Sequence, residues 1–155
     1  MREKRLLLIW GGHPGGRTET LRAAVVAGIV DAGEAIELRQ RPALEADIDD
    51  LLWCEALLIG TPEHFGYMSG AVKDFFDRTF YPAEGRTEGR PYAVFISAGN
   101  DGTGAVASVE RIATGYRWKR VAPPLVVVGA PTNGAITQAR ELGATMAAGL
   151  CAGIF

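Results

Sequence analysis

Four short apolar runs constrain what this chain can fold into: residues 6–10 (LLLIW), 56–60 (ALLIG), 92–97 (YAVFIS) and 125–128 (LVVV). Each is solid rather than alternating, as a strand covered on both faces would be, and such strands belong to parallel sheets sandwiched between helices. Between the runs the apolar spacing turns helical. Leu21, Ala24, Val25, Ala27, Gly28 and Ile29 form one such set, and Gly33 stands where a helix would end. Ser69 stands at an N-cap position before Val72, Phe75, Phe76 and Thr79; further sets are Val106, Val109, Ile112 and Ala113, then Ile136, Ala139, Leu142, Met146 and Leu150. A weaker strand over 35–38 and a short helix over 47–52 complete the first half. The expectation is an α/β three-layer sandwich: a five-stranded parallel sheet with helices on both faces, in one domain over residues 1–155.

In an open parallel sheet, ligands bind beyond the carboxyl ends of the strands. Three loops fall there, over residues 11–18 (GGHPGGRT), 61–69 (TPEHFGYMS) and 98–104 (AGNDGTG). They gather much of a glycine excess, 20 in 155 residues, about twice the usual frequency of roughly 7%. Glycine permits positive φ and close backbone approach to a ligand. The first loop opens directly into a helix, so main-chain N–H groups from Gly16 to Glu19, with the hydroxyls of Thr18 and Thr20, form a cradle for an anion. Arg17 adds charge and His13 a donor. The second loop carries Phe65 and Tyr67 beside Pro62 and Gly66, suited to lining a flat heteroaromatic ring, although aromatics before a helix more often staple its entry to the core.

Other chemistries fit poorly. Gly11, Gly16, Arg17 and Thr18 approach GxxxxGK[ST], but arginine replaces the lysine and no later strand ends in an Asp placed for magnesium. The GxGxxG fingerprint is absent from this loop. Sixteen basic residues against 18 acidic ones, a net charge of −2, offer no positive field for nucleic acid. His13 and His64 lack carboxylate or cysteine companions at metal-ligand spacing, and Cys54 and Cys151 form no CxxC motif. The apolar run at residues 6–10 is too short for a signal peptide, and the C-terminal stretch from Leu142 is broken by Gly143, Gly149 and Gly153. A cytoplasmic protein without a membrane span is expected.

Residues 60–79 (GTPEHFGYMSGAVKDFFDRT) carry a GTPxxFGxMSG stretch and the FxD helix that follows it. Residues 13–20 (HPGGRTET), the Gly89-Arg90-Pro91 element and residues 97–104 fall in the same register. Over nearly its whole length the chain resembles the flavodoxin-fold, FMN-dependent NAD(P)H:quinone oxidoreductases of the WrbA type, and more distantly flavodoxins. The resemblance implies FMN with its phosphate at His13, Gly15, Gly16, Arg17, Thr18 and Glu19. The ring would then lie between Thr61, Pro62, Glu63, His64, Phe65 and Gly66 on one side and Ser97, Gly99, Asn100, Asp101, Gly102 and Gly104 on the other. It implies hydride transfer from NAD(P)H through the flavin to a quinone-like acceptor, with no side chain as catalytic acid or base. A carrier of the flavodoxin kind, binding FMN without oxidising NAD(P)H, is the alternative.

Three departures from that family stand out. His13 replaces a serine hydroxyl at the phosphate, which shifts the anion contact toward Arg17 and Thr18. The chain is short over 39–49 and 129–136, where the family has segments associated with subunit contacts and site covering, so the family's tetrameric assembly loses support, and a homodimer or higher homo-oligomer is the expectation. Residues 114–118 (TGYRW) lack the histidine the family places near its nicotinamide and quinone pocket.

Overall fold

The computed structural model describes residues 2–155. Its elements are β1 (Lys4–Trp10), α1 (Arg17–Asp31), β2 (Ile36–Pro42), α2 (Ile48–Trp53), β3 (Ala56–His64), β4 (Tyr67–Met68), α3 (Gly70–Ala83), β5 (Pro91–Ala98), α4 (Thr103–Tyr116), β6 (Lys119–Arg120), β7 (Leu125–Val128) and α5 (Asn133–Ala152). The sheet runs β2-β1-β3-β5-β6, with β7 also on β5, and every pairing but the β3–β4 hairpin is parallel. β1 lies between β2 and β3, so the winding reverses there and the loops leaving β1 and β3 part company.

Alternation along the central strands builds two cores. Leu7, Ile9, Leu57, Ile59, Val94 and Ile96 face α2, α3 and α4, where they meet Leu51, Val72, Phe75, Phe76 and Val109. Leu6, Leu8, Leu58, Ala93 and Phe95 face α1 and α5, against Leu21, Val25, Ala139, Leu142 and Met146. The second core depends on two helices in unusually close contact. A Cβ added to Gly28 of α1 would collide with the carbonyl oxygen of Arg140, and one added to Gly143 of α5 with that of Val25.

The sheet departs from the five strands expected. Seven segments carry strand geometry because Phe65 and Gly66, both at positive φ, fold β3 back on itself as β4. The fifth strand is also broken: β6 pairs with Pro91 and Tyr92 and β7 with residues 95–98, while Pro123 and Pro124 between them have no N–H for the ladder. β2 is longer than the 35–38 expected, reaching Pro42 through Glu37, Arg39 and Arg41. Arg39 explains that extension: its guanidinium meets Asp50 at 3.0 Å and lies 3.9 Å from the Trp53 ring centroid, so α2 covers a charged strand.

Glu55, just before β3, ties down the start of β1. Its carboxylate accepts from Arg2 at 2.8 and 3.1 Å and from the Arg5 main-chain N–H at 2.9 Å. The Arg2 hydrogen bonds hold its pKa down at about 2. A carboxyl depressed by folding stabilises the fold above its unfolded pKa and loses that contribution as pH falls through the folded value. The stability advantage of the wild type over Glu55→Gln, measured by urea denaturation, is therefore expected to be constant near neutral pH and to shrink between about pH 5 and pH 2. Gly143→Ala, which forces α1 and α5 apart, is expected to lower stability by about 2 kcal/mol in the same assay.

Candidate functional site

The carboxyl ends of β1, β3 and β5 open onto a cleft of about 220 Å³. One wall is the turn from β1 into α1, contributed by Gly12, His13, Gly16, Arg17 and Thr18; Pro62, Glu63 and His64 come from β3, and Ser97, Ala98 and Gly99 from β5. The turn is tight, with the Gly16 N–H donating to the His13 carbonyl at 3.0 Å, and it needs glycine at Gly12 (φ 106°) and Gly15 (φ 74°). It ends in a helix whose N-cap is Gly16 and whose first turn receives no side-chain cap. The opening N–H groups of α1, which lack intrahelical partners, are therefore left for an anion.

Two hydroxyls floor this wall. Thr18 Oγ1 and Ser97 Oγ lie 2.6 Å apart, at 3% and 7% exposure, and neither makes another hydrogen bond. The pair holds two protons and uses one between its members, so one buried O–H donor is left to meet a ligand in the cleft. The hydroxyl of Thr20 is already committed, donating to the Gly16 carbonyl at 3.2 Å.

The β3 hairpin is held rigidly. Thr61 is fully buried; its hydroxyl donates to the Pro62 carbonyl at 2.8 Å and accepts from the Ser69 N–H at 2.9 Å, so it braces the entry to α3 rather than facing the cleft. Met68 N–H donates to Ser108 of α4 at 3.1 Å, and a Cβ on Gly104 would collide with the Gly66 carbonyl. Phe65 projects from the tip into solvent at φ 53°, outside the cleft walls. In the loop after β5, Asp101 accepts from the Thr103 N–H and hydroxyl at 3.0 and 2.8 Å, hydrogen bonds that hold its carboxyl below its ordinary pKa. Gly102 (φ 72°) then turns the chain into α4 against Val126.

Of the residues expected at the site, the fold gathers His13, Gly16, Arg17, Thr18, Pro62, Glu63, His64, Ser97 and Gly99 around the cleft. Gly15, Glu19, Thr61, Phe65, Gly66, Asn100, Asp101, Gly102 and Gly104 lie outside its walls, and several of them shape the loops that form it. Gly12 and Ala98 complete the lining. Gly12 is legible as a loop glycine, whereas nothing in the sequence marks Ala98 apart from its place after an apolar strand.

A cavity of about 330 Å³ lies at the opposite end, between the C-termini of α3 and α4 near Phe80, Glu84 and Tyr116. It is larger, but helix C-termini present carbonyls and the negative end of the dipole, the wrong polarity for a phosphate.

The arrangement is that of a doubly wound fold with a glycine-rich turn and an uncapped helix start at its switch point. A family model described as NADPH-dependent FMN reductase matches residues 6–133, and the chain belongs to that family, in keeping with the resemblance carried by residues 60–79. It is 31% identical over 114 residues to an NAD(P)H dehydrogenase (quinone) of Paracoccus denitrificans, a match covering 61% of this chain and 55% of that protein. To a flavodoxin of Aquifex aeolicus it is 32% identical over 89 residues, covering 57% of this chain and 48% of that one. The chain spans about half the length of the curated relatives it matches. Among solved structures, a flavodoxin from the domain Archaea superposes with a TM-score of 0.81 at 19% identity, over 94% of this chain and 98% of that one, and so shares the fold.

The hydroxyl pair generates a stability prediction. Thr18→Val leaves the Ser97 hydroxyl buried without its partner and is expected to cost about 1–2 kcal/mol. Adding Ser97→Ala is expected to recover part of that loss, so that a double-mutant cycle followed by denaturation gives a coupling of about 1 kcal/mol.

Proposed function

We propose that residues 1–155 act as a single FMN-binding domain that passes electrons from NAD(P)H to quinone-type acceptors. The observation that carries this reading is the match to the NADPH-dependent FMN reductase family over residues 6–133, which spans all three loops of the cleft. The residues present suit the cofactor. An uncapped helix start, a spare buried hydroxyl proton and glycines at Gly12, Gly16 and Gly99 favour a phosphate and close main-chain approach.

On this reading the turn at residues 12–18 holds the phosphate, and the rigid Pro62–His64 edge of β3 and the β5 loop flank the ring. The bound flavin supplies the hydride chemistry. The chain's contribution is to fix it at the carboxyl edge of the sheet, with main-chain N–H groups of the β5 loop to offset negative charge on the ring. Gly104 packed on Gly66 and Met68 bonded to Ser108 keep the β3 hairpin from shifting between turnovers. A small quinone-like acceptor, no nucleic acid and a cytoplasmic setting complete the proposal, with a homodimer or higher homo-oligomer as its assembly. Among the described residues, no helix is long and apolar enough to cross a membrane.

Anaerobic mixing of the FMN-loaded protein with NADH or NADPH tests the reading. Rapid loss of the yellow flavin colour, restored by adding benzoquinone, is expected. Inertness to both nucleotides in a protein that still binds FMN would favour an electron carrier, the role suggested by the likeness to the Aquifex flavodoxin. A protein that takes up no FMN overturns both.

A further inference from the structure

We infer, resting on the FMN reading of the cleft, that His13 is the residue by which this chain distinguishes FMN from riboflavin, its imidazolium joining Arg17 on the phosphate. The hydroxyls nearby have little donor capacity for this. Thr20 donates to the Gly16 carbonyl, and Thr18 and Ser97 have one free proton between them. Discrimination between a phosphate and a bare hydroxyl must come mainly from charge.

The charge balance of the cleft makes the imidazole decisive. Its walls contain one permanent cation, Arg17 from α1, and one carboxylate, Glu63 from β3. With neutral imidazoles these cancel, and the cleft has no net side-chain charge to offer a dianion. Glu19, also on α1, is drawn toward Arg22 at 3.8 Å, and Arg22 itself is stacked 4.1 Å from the Trp10 ring centroid. The β5 segment brings only uncharged Ser97, Ala98 and Gly99 to the cleft; Asp101 beyond it is turned onto Thr103. Protonation of a histidine is therefore what tips the cleft positive, and histidine is the side chain whose charge ordinarily changes between about pH 5 and 8.

Two histidines line the cleft, and their settings differ. His64 sits on β3 next to Glu63, opposite Tyr67 in the hairpin. His13 begins the turn whose carbonyl is pinned by Gly16, beside the uncapped first turn of α1. A cation at a helix N-terminus is unfavourable until an anion arrives. A bound anion relieves that penalty, so FMN affinity is expected to depend on pH.

The test is the dissociation constant of FMN and of riboflavin, followed by quenching of flavin fluorescence, at pH 6 and pH 8.5 for the wild type, His13→Gln and Arg17→Gln. At pH 6, His13→Gln is expected to bind FMN about three- to tenfold more weakly than the wild type, with riboflavin unchanged. At pH 8.5 the two proteins should converge. The phosphate's own titration cancels in the comparison, because both proteins meet the same ligand. Arg17→Gln should weaken FMN at both pH values. His13 is exposed, so its substitution should leave the melting temperature in place, and His13→Asn provides a second uncharged variant under the same criteria. The inference is overturned if His13→Gln and His13→Asn bind FMN as tightly as the wild type at pH 6, or lose FMN and riboflavin equally. If the wild type binds neither flavin, it is the FMN reading that falls, and this inference with it.

Discussion

Burial of the central strands on both faces is the constraint from which the rest follows. Leu7, Ile9, Leu57, Ile59, Val94 and Ile96 are fully buried toward one helical layer, and Leu6, Leu8, Leu58, Ala93 and Phe95 toward the other. A strand covered above and below can meet a ligand only at its end. The chain's polar chemistry is thereby forced to the carboxyl edge, where β1, β3 and β5 finish together and where α1 begins without a cap.

Glycine serves two unlike purposes in this molecule. At Gly12 and Gly15 it permits the backbone of the turn from β1 into α1, whereas at Gly28, Gly143 and Gly104 it removes a side chain where main chain presses on main chain. Composition cannot separate these uses, since both raise the same count. Gly104 shows the difficulty: in the sequence it closes a glycine-rich run, yet it lies in the first turn of α4 and seats that helix against the hairpin tip at Gly66.

The strands β1, β3 and β5 are legible in the sequence because two-sided burial leaves an unbroken apolar run; β7 is legible as an apolar run too, although only Val127 of its four residues is buried. β2 is only half legible, since its covering on one side comes from an ion pair and a stacked guanidinium, Arg39 with Asp50 and Trp53, which hydropathy reads as exposed. The break between β6 and β7 is written in Pro123 and Pro124, but whether such a pair ends a strand or interrupts it depends on β5 alongside. At the site, loop membership was legible and orientation was not. Thr61 and Thr18 are both threonines at strand or helix ends; one turns inward to brace Ser69, and the other reaches across 79 residues to Ser97. Such pairings are settled by the packing of α1 on the sheet, which no local motif records.

The two borders of the sheet have a consequence for how these molecules behave in a crowd. A bare strand border is a template on which another chain can build, and nature blunts it with charge, proline or brevity. β2 presents Glu37, Arg39 and Arg41 along its length, while the opposite border is split into the two residues of β6 and the four of β7, with Pro123 and Pro124 between them and Pro131 after β7. Neither side offers a flat, uncharged ladder, so the apolar strands that drive folding are shielded from seeding aggregates.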